Sequence, residues 1–159
     1  RRATPTTLSP TVRATIPPTL PVLEATETPV PDAPVWLIYD ADKLVLVNRA
    51  DHPVNIRSLS FVQPLSFGEI VFRSTQWETP LLNAVQPGAC FMVWRISLGN
   101  LPTPDYCTER EAWFAAGANG RFWLSTQPDA TFEVRDGDNN VLATCPVNAG
   151  ECGFDPDIS

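Results

Sequence analysis

Aromatic residues and cysteines are confined to residues 35–159, and this uneven distribution constrains the fold more than any other feature. All fifteen aromatic side chains and all four cysteines lie there, whereas residues 1–34 hold eight prolines and eight threonines. A segment without large apolar side chains cannot bury enough surface to offset the entropy lost on ordering. The sequence therefore predicts one folded domain, 35–159, preceded by a Thr/Pro-rich segment, 1–34.

The composition of residues 1–34 is typical of an extended or disordered linker. Repeated proline fixes φ and favours the polyproline II conformation, in which such a segment spans on the order of 100 Å. We expect either a stalk that holds the domain away from a surface or a plain inter-domain linker. Threonine beside proline also suits O-glycosylation in stalks.

The charge and residue content of the chain exclude several classes of function. Lysine and arginine number 11 against 18 acidic residues, a net charge of −7, which disfavours nucleic acid as a partner. A single histidine excludes His₂ and His₃ metal sites within one chain, and we expect no cofactor. Because no apolar run approaches the roughly 18 residues of a membrane span, we expect membrane attachment only through a tether outside this chain.

Short β-prone runs separated by turn residues predict an all-β domain. The clearest strands are 35–39, 43–48 and the hairpin 131–145, whose turn is 136–140. Further strands are expected within 55–62, 65–72 and 89–95, the last after a type II turn at 86–88.

One short helix is predicted at 108–116. Thr108 suits the N-cap, Glu111 takes the capping-box position and Gly117 provides a stop. Strands at this spacing with one short helix favour an antiparallel β-sandwich or barrel, and of the two we predict the sandwich.

The four cysteines predict two disulfide bonds and hence an oxidising compartment. They are Cys90, Cys107, Cys145 and Cys152. None lies in a Cys-x-x-Cys pair, so the usual zinc spacings are absent. Three connectivities are possible, and a local bridge between Cys145 and Cys152 is favoured, which leaves Cys90 to pair with Cys107. We expect a cell-surface or secreted location, or the ectodomain of a membrane-anchored protein; four free thiols would instead indicate the cytosol.

Catalytic residues are hard to find in this sequence, and we predict a non-enzymatic protein. His52 is the only imidazole and lies in a polar turn before Pro53, and no Gly-x-Ser-x-Gly motif occurs. A small hydrolase that uses paired carboxylates remains an alternative. The candidate pairs are Asp40 with Asp42, Glu109 with Glu111, and Asp155 with Asp157.

Residues 136–140 begin like a calcium-binding EF-hand loop. The similarity ends at Val141, where the loop needs glycine, and at Val147, where it needs glutamate. The same Asp, Gly and Asn residues favour a hairpin turn, and we predict a turn without metal.

Five tryptophans in so small a domain suggest that some of them contact a ligand. The candidate binding residues are Trp77, Trp94 and Trp113. Trp77 has polar neighbours on both sides and is the best candidate for exposure. The alternative for all five tryptophans is that their indoles fill the core of a small domain. Exposed indoles on a β-sandwich stack on sugars, so a carbohydrate-binding module is one hypothesis.

Three segments carry a family resemblance. Residues 43–56 form a strand that ends in Asn, followed by a polar turn and the sequence Pro-Val-Asn-Ile. Residues 85–88, Val-Gln-Pro-Gly, precede an apolar strand, and residues 135–141 are similar to the final hairpin of the family. Together they resemble lamin-tail-type domains. The chain is also similar to uncharacterised modules carried behind Thr/Pro linkers at the C-terminal ends of bacterial membrane-anchored signalling proteins such as Ser/Thr kinases. Both resemblances imply an immunoglobulin-like β-sandwich without catalytic residues, and neither implies a known ligand.

The sequence as a whole predicts an extracytoplasmic recognition or sensing module that binds a protein or a glycan. The alternative, from another class of function, is a structural subunit of a cell-surface assembly.

Overall fold

Nine β-strands form two packed sheets in the computed structural model, which describes residues 3, 5 and 32–157. They are β1 (Val35–Tyr39), β2 (Lys43–Asn48), β3 (Ser60–Pro64), β4 (Glu69–Arg73), β5 (Ala89–Arg95), β6 (Glu109–Ala116), β7 (Thr131–Arg135), β8 (Val141–Pro146) and β9 (Glu151–Phe154). One sheet has the order β6-β5-β2-β1-β9 and the other β4-β3-β7-β8. The predicted all-β sandwich is confirmed, whereas most of the predicted Thr/Pro segment lies outside the described residues.

The strands with the clearest sequence pattern form where they are predicted. β2 is apolar on both faces, and both faces are covered: Leu44 and Leu46 join the core between the sheets, while Val45 and Val47 pack in a second cluster on the outer face. The hairpin of β7 and β8 turns at 136–140, where the amide of Asn139 donates to the carbonyl of Asp136.

The turn before β5 is the predicted type II turn. The amide of Ala89 donates to the Gln86 carbonyl at 3.0 Å, and Gly88 has a φ of +81°, which this turn requires at its third position. A β-carbon on Gly88 would lie 2.6 Å from the Thr108 methyl group, so close approach also demands glycine there. This contact holds the start of β6 against the start of β5.

Two of the weaker strand predictions are only partly right. The run 55–62 contributes only the first residues of β3, although Ile56 and Leu59 before it are buried, and 65–72 contributes β4 from Glu69 onward. Residues 65–68 instead make a tight turn in which the Leu65 amide donates to the Gly68 carbonyl at 3.0 Å. The alternation of apolar residues changes phase near Gly68, and this change marks a turn rather than a continuous strand.

The predicted helix at 108–116 is wrong, because these residues form β6 at the edge of the five-stranded sheet. β6 runs parallel to β5, whereas the other paired strands are antiparallel. A parallel pair requires a crossover of a dozen or more residues, and 96–108 provides it. The helix signals are all local, and the pairing with β5 overrides them.

Both predicted disulfide bonds are present, and each lies at a different part of the sandwich. Cys90 of β5 is bonded to Cys107 at the end of the crossover. Cys145 of β8 is bonded to Cys152 of β9, which links the two sheets along one side. The crossover and the sheet edge opposite β6 are therefore both held covalently.

Aromatic rings fill the space between the sheets. The ring of Phe122 is stacked on Phe61 and Phe72 at centroid distances of 5.3 and 5.8 Å. Trp77 meets Phe72 edge to face at 5.0 Å, and Tyr39 meets Phe132 in the same way at 5.2 Å. Offset and edge-on pairs of this kind add to the stabilisation that area burial already gives.

A second, smaller core covers the outer face of the five-stranded sheet. Its buried members are Ala33, Trp36, Val45, Val47, Cys90, Met92, Trp94 and Cys107, with Ile38, Leu101 and Ala115 packed against them. Because Leu101 and Cys107 belong to the crossover, this segment lies over the sheet and shields it from water.

The chain enters and leaves the sandwich at one end. Val35 at the start of β1 pairs with Phe154 at the end of β9. Ala33 is already buried, and the Pro34 carbonyl accepts from the Arg49 amide at 2.8 Å, so the packed structure includes residues before the predicted boundary at 35. Among the described residues, no helix has the length and hydropathy needed to cross a bilayer.

Candidate recognition surface

Trp113 is the largest side chain that the sandwich leaves in solvent on a strand. Its side chain is 51% exposed, on the outer face of β6. A bulge between Arg110 and Ala112 sets this orientation: Cys90 pairs with Arg110 but Phe91 pairs with Ala112, so Glu111 is the extra residue. After the bulge, Ala112 and Phe114 pack on the inner core, and their neighbours face outward.

The exposed indole rests on a second indole that is buried. Trp113 and Trp94 are stacked with centroids 4.9 Å apart and planes 7° from parallel. The guanidinium of Arg110 lies 5.4 Å from the centre of the Trp94 ring and donates to the Leu101 carbonyl at 2.6 Å. We call Arg110, Trp94 and Trp113 the indole platform; the sheet and the crossover hold it in place.

The backbone edge of β6 beside this platform is open. β6 is the last strand of its sheet and pairs only with β5 among the described residues. The five residues from Ala112 to Ala116 carry no charge and no proline. Edge strands are usually protected by charged side chains, proline or short length, so this edge can accept another strand.

Two carboxylates lie at the beginning of the same strand. Burial is the larger cause of a raised pKa of Glu111, and the negative charge of Glu109 raises this pKa further. Neither glutamate forms an ion pair within the part of the chain that the structure describes. β6 therefore has an acidic first half and an apolar second half.

The expectation that Trp77 is an exposed contact is wrong. Its side chain is 4% exposed, and its indole N–H donates to the Met92 carbonyl at 2.9 Å in the core. Trp77 ends the 3-10 turn Ser74–Trp77, which leaves its polar neighbours Gln76 and Glu78 toward solvent while the indole turns inward. Trp94 is buried as well, so only Trp113 of the three predicted tryptophans presents surface to a partner.

His52 lies in an exposed turn at the end where the chain enters. Its Nδ1 is 2.9 Å from a carboxylate oxygen of Asp51, and the hydrogen bond from His52 lowers the pKa of Asp51. The turn borders an open depression of about 410 Å³ that Trp36 and Arg49 also line. The Arg49 guanidinium is 5.2 Å from the Trp36 ring, so a cation–π contact already uses this arginine.

The remaining carboxylate candidates are engaged in turns. Asp40 accepts from the amides of Asp42 and Lys43, and Asp136 accepts from the amides of Asp138 and Asn140. Asp155 caps the amide of Asp157 in the same way. Within the described residues, no three His, Cys, Asp or Glu side chains converge on a point that would hold a metal ion.

The sequence interpretation missed two exposed apolar features. The edge character of β6 was hidden by the helix prediction, although the uncharged run Ala112–Ala116 after two glutamates could have indicated it. Phe67, 95% exposed at the tip of the β3–β4 turn beside Leu65, was assigned to a strand. Its position directly before Gly68 is the signal that could have placed it in a turn.

These features define a disulfide-bonded all-β sandwich with an aromatic platform at an open sheet edge. No family model matches the chain, and no curated protein matches it either.

Proposed function

We propose that this chain is a non-enzymatic recognition module that binds a partner protein through the indole platform and the adjoining edge of β6. The observation that carries the proposal is the stacked pair Trp94 and Trp113. A half-exposed indole on a rigid base loses little conformational entropy when a partner covers it, and tryptophan is enriched among residues that dominate binding energy.

A protein fits this surface better than a glycan does. Sugar-binding faces on β-sandwiches use several coplanar exposed rings, whereas Trp94 is covered and Trp113 stands alone on its strand. Beside the indole lie unpaired backbone donors and acceptors, which an extended polypeptide can satisfy along its length. Glycan binding is therefore the alternative that the test below distinguishes from protein binding.

The expected absence of catalysis is part of the proposal. General acid–base catalysis needs a group held against the substrate, with its pKa tuned by partial burial. His52 and two of the carboxylate pairs lie instead on turns, and Glu109 and Glu111 lie on the open edge of β6, where burial raises the pKa of Glu111. We expect His52→Ala to leave folding and partner binding unchanged, and a loss of any measured turnover would contradict this proposal.

The location proposed for the module is extracytoplasmic. Two disulfide bonds favour an oxidising compartment. The Thr/Pro-rich composition of residues 1–34 suits a stalk, which would hold the sandwich away from a surface. We expect any membrane attachment to lie outside this chain.

The test is site-specific photocrosslinking of the full chain displayed in its native compartment. A photoreactive phenylalanine derivative replaces Trp113 in one variant and Val141 in a control, because Val141 is 50% exposed on β8 of the other sheet. We expect one predominant protein adduct from position 113 and none from position 141.

The crosslinked partner is then purified and its affinity measured. We expect Trp113→Ala to weaken binding on the order of 30-fold, as for a central aromatic contact, and Val141→Ala to leave it within about twofold. Equal adducts at both positions, or equal affinities, would refute the platform as the binding site. Binding to a glycan array that Trp113→Ala abolishes would show the glycan alternative to be correct.

A further inference from the structure

We propose that the free edge of β6 binds an extended peptide segment with basic and apolar residues, which adds to the sheet as an antiparallel strand. This inference rests on the proposed function and names the chemistry of the partner. The bound strand would place basic side chains beside Glu109 and Glu111 and an apolar side chain on Trp113.

The geometry of β6 provides the length that strand addition needs. It has eight residues, and no other strand of the described chain is as long. No backbone hydrogen bond joins it to any described segment on the side away from β5. From Ala112 onward, beyond the bulge, an incoming peptide would therefore find a row of backbone donors and acceptors that no described residue uses.

The other sheet edges carry features that oppose pairing. β4 begins at Glu69, ends at Arg73, and is contacted by the 3-10 turn Ala118–Gly120. β8 ends in Pro146, and β9 has only four residues. Proline, charged ends and short length are the means by which natural sheets protect their edges, and β6 lacks them in its second half.

The charges of β6 select the chemistry of the partner. Glu109 and Glu111 repel each other, and neither forms an ion pair among the described residues. Arg110 lies between them in sequence, but its guanidinium is directed to the Leu101 carbonyl and the Trp94 ring. Lysine or arginine of an incoming strand would relieve the repulsion.

A second copy of the chain is a poorer occupant. Each copy carries a net charge of −7, and pairing β6 with itself brings no uncommitted cation to the two glutamates. The Thr/Pro segment of the same chain is also poorly suited, because each of its eight prolines lacks the N–H that a ladder requires.

The test uses three capped octapeptides and the full chain labelled with ¹⁵N. The probe is Thr-Val-Thr-Val-Thr-Lys-Thr-Lys, which in antiparallel register places its lysines opposite Glu111 and Glu109 and a valine opposite Trp113. The second peptide has glutamates in place of the lysines, and the third is the probe in reverse order.

We expect the probe to shift the amide resonances of β6 and to slow their hydrogen exchange. The glutamate peptide should bind at least about fivefold more weakly, since two exposed ion pairs are replaced by repulsion. The reversed peptide should also bind more weakly, because antiparallel pairing is slightly the more stable arrangement.

Charge reversal of the chain supplies the matched control. The double variant Glu109→Lys and Glu111→Lys should prefer the glutamate peptide. The variant Asp129→Lys and Asp138→Lys has the same change in net charge on exposed loops away from β6, and it should keep the preference for the probe. Thermal unfolding of both variants verifies that they fold.

Three results would overturn the inference: equal binding of the lysine and glutamate peptides, shifts confined to residues outside β6, or protection in the free chain of the β6 amides that face away from β5. Protection that rises with chain concentration would identify a second copy as the occupant, and protection independent of concentration would identify the chain's own tail. If the peptides fail while position 113 still crosslinks a partner, strand addition is refuted and the proposed function stands.

Discussion

Tyr39 shows how one buried phenol joins the two sheets. Its hydroxyl donates to the Pro146 carbonyl at 2.6 Å, so a side chain of β1 holds the end of β8. Burial, and to a smaller extent the charge of Glu151, raise the pKa of Tyr39 to about 12. The folded chain therefore retains this proton over a pH range in which the unfolded chain releases it.

This difference predicts a loss of stability at alkaline pH. Tyrosine in an unfolded chain has a pKa of about 10, so the contribution of Tyr39 is complete below pH 10 and is lost as the pH rises through about 12. Absorbance titration of the phenolate in the Tyr106→Phe variant should show a single transition near pH 12. A transition near pH 10 in the folded chain would contradict the burial of this hydroxyl.

Trp77 and Trp113 should respond in opposite ways to truncation. We expect Trp77→Ala to lower the free energy of unfolding by about 3–5 kcal/mol, because a large buried ring and its hydrogen bond to Met92 are lost. Trp113→Ala should lower it by only about 2 kcal/mol, the value of one aromatic stacking contact and of an indole that is half buried. Urea unfolding measures both, and similar losses would mean that the two indoles are equally important to the core.

The sequence does not reveal which indole is buried. Polar neighbours suggest exposure for Trp77, but the indole faces inward together with Ser74, while Thr75 and Glu78 of the same segment face water. Trp113 has an alanine and a phenylalanine beside it and is nevertheless half exposed. Exposure in a sheet depends on which strand forms the edge, and that is a property of the tertiary fold.

The elements that the sequence predicts well are those held by local contacts. β1, β2 and the β7–β8 hairpin follow from alternating apolar residues and from turn residues such as Asp136, whose carboxylate accepts from two amides of the turn. β6 depends on non-local pairing with β5 and on Cys107, and its Glu, Arg and Ala residues are good helix formers. The sequence indicates Trp94 and Trp113 as candidate binding residues but not their stacking at an open sheet edge, since that arrangement exists only when β6 is a strand.

The two disulfide bonds should differ in what their loss changes. Replacing Cys90 and Cys107 with alanine opens a loop with a sequence separation of 17, for which the chain-entropy model gives about 3 kcal/mol. It should also release the crossover from the outer face and disorder the indole platform. Removal of the Cys145–Cys152 bond should cost about 2 kcal/mol and leave the platform intact.

Differential scanning calorimetry and the near-ultraviolet circular dichroism of the stacked indoles distinguish the two double variants. The platform signal should disappear only when Cys90 and Cys107 are replaced. Mass spectrometry of the native protein without reductant should first give a mass four hydrogens below that of the reduced chain. Four thiols that react without reductant would contradict both bonds.

The composition of the molecule as a whole changes just before β1. All aromatic residues lie beyond position 34, and Ala33 is already buried. Limited proteolysis should therefore leave a resistant fragment that starts near 32–35, identified by N-terminal sequencing and mass spectrometry. Protection of residues 1–30 in the isolated chain would contradict the predicted linker.

The pairing of Val35 with Phe154 determines how the sandwich would respond to tension. Force applied between the two flanks of the domain acts across the β1–β9 ladder at its open end, so its hydrogen bonds would break one after another rather than together. After Trp36 separates from Gly153, the next pair contains Cys152, which is bonded to Cys145. The load on β9 then passes through a covalent bond into β8, so β9 cannot be pulled free of the second sheet while that bond is intact.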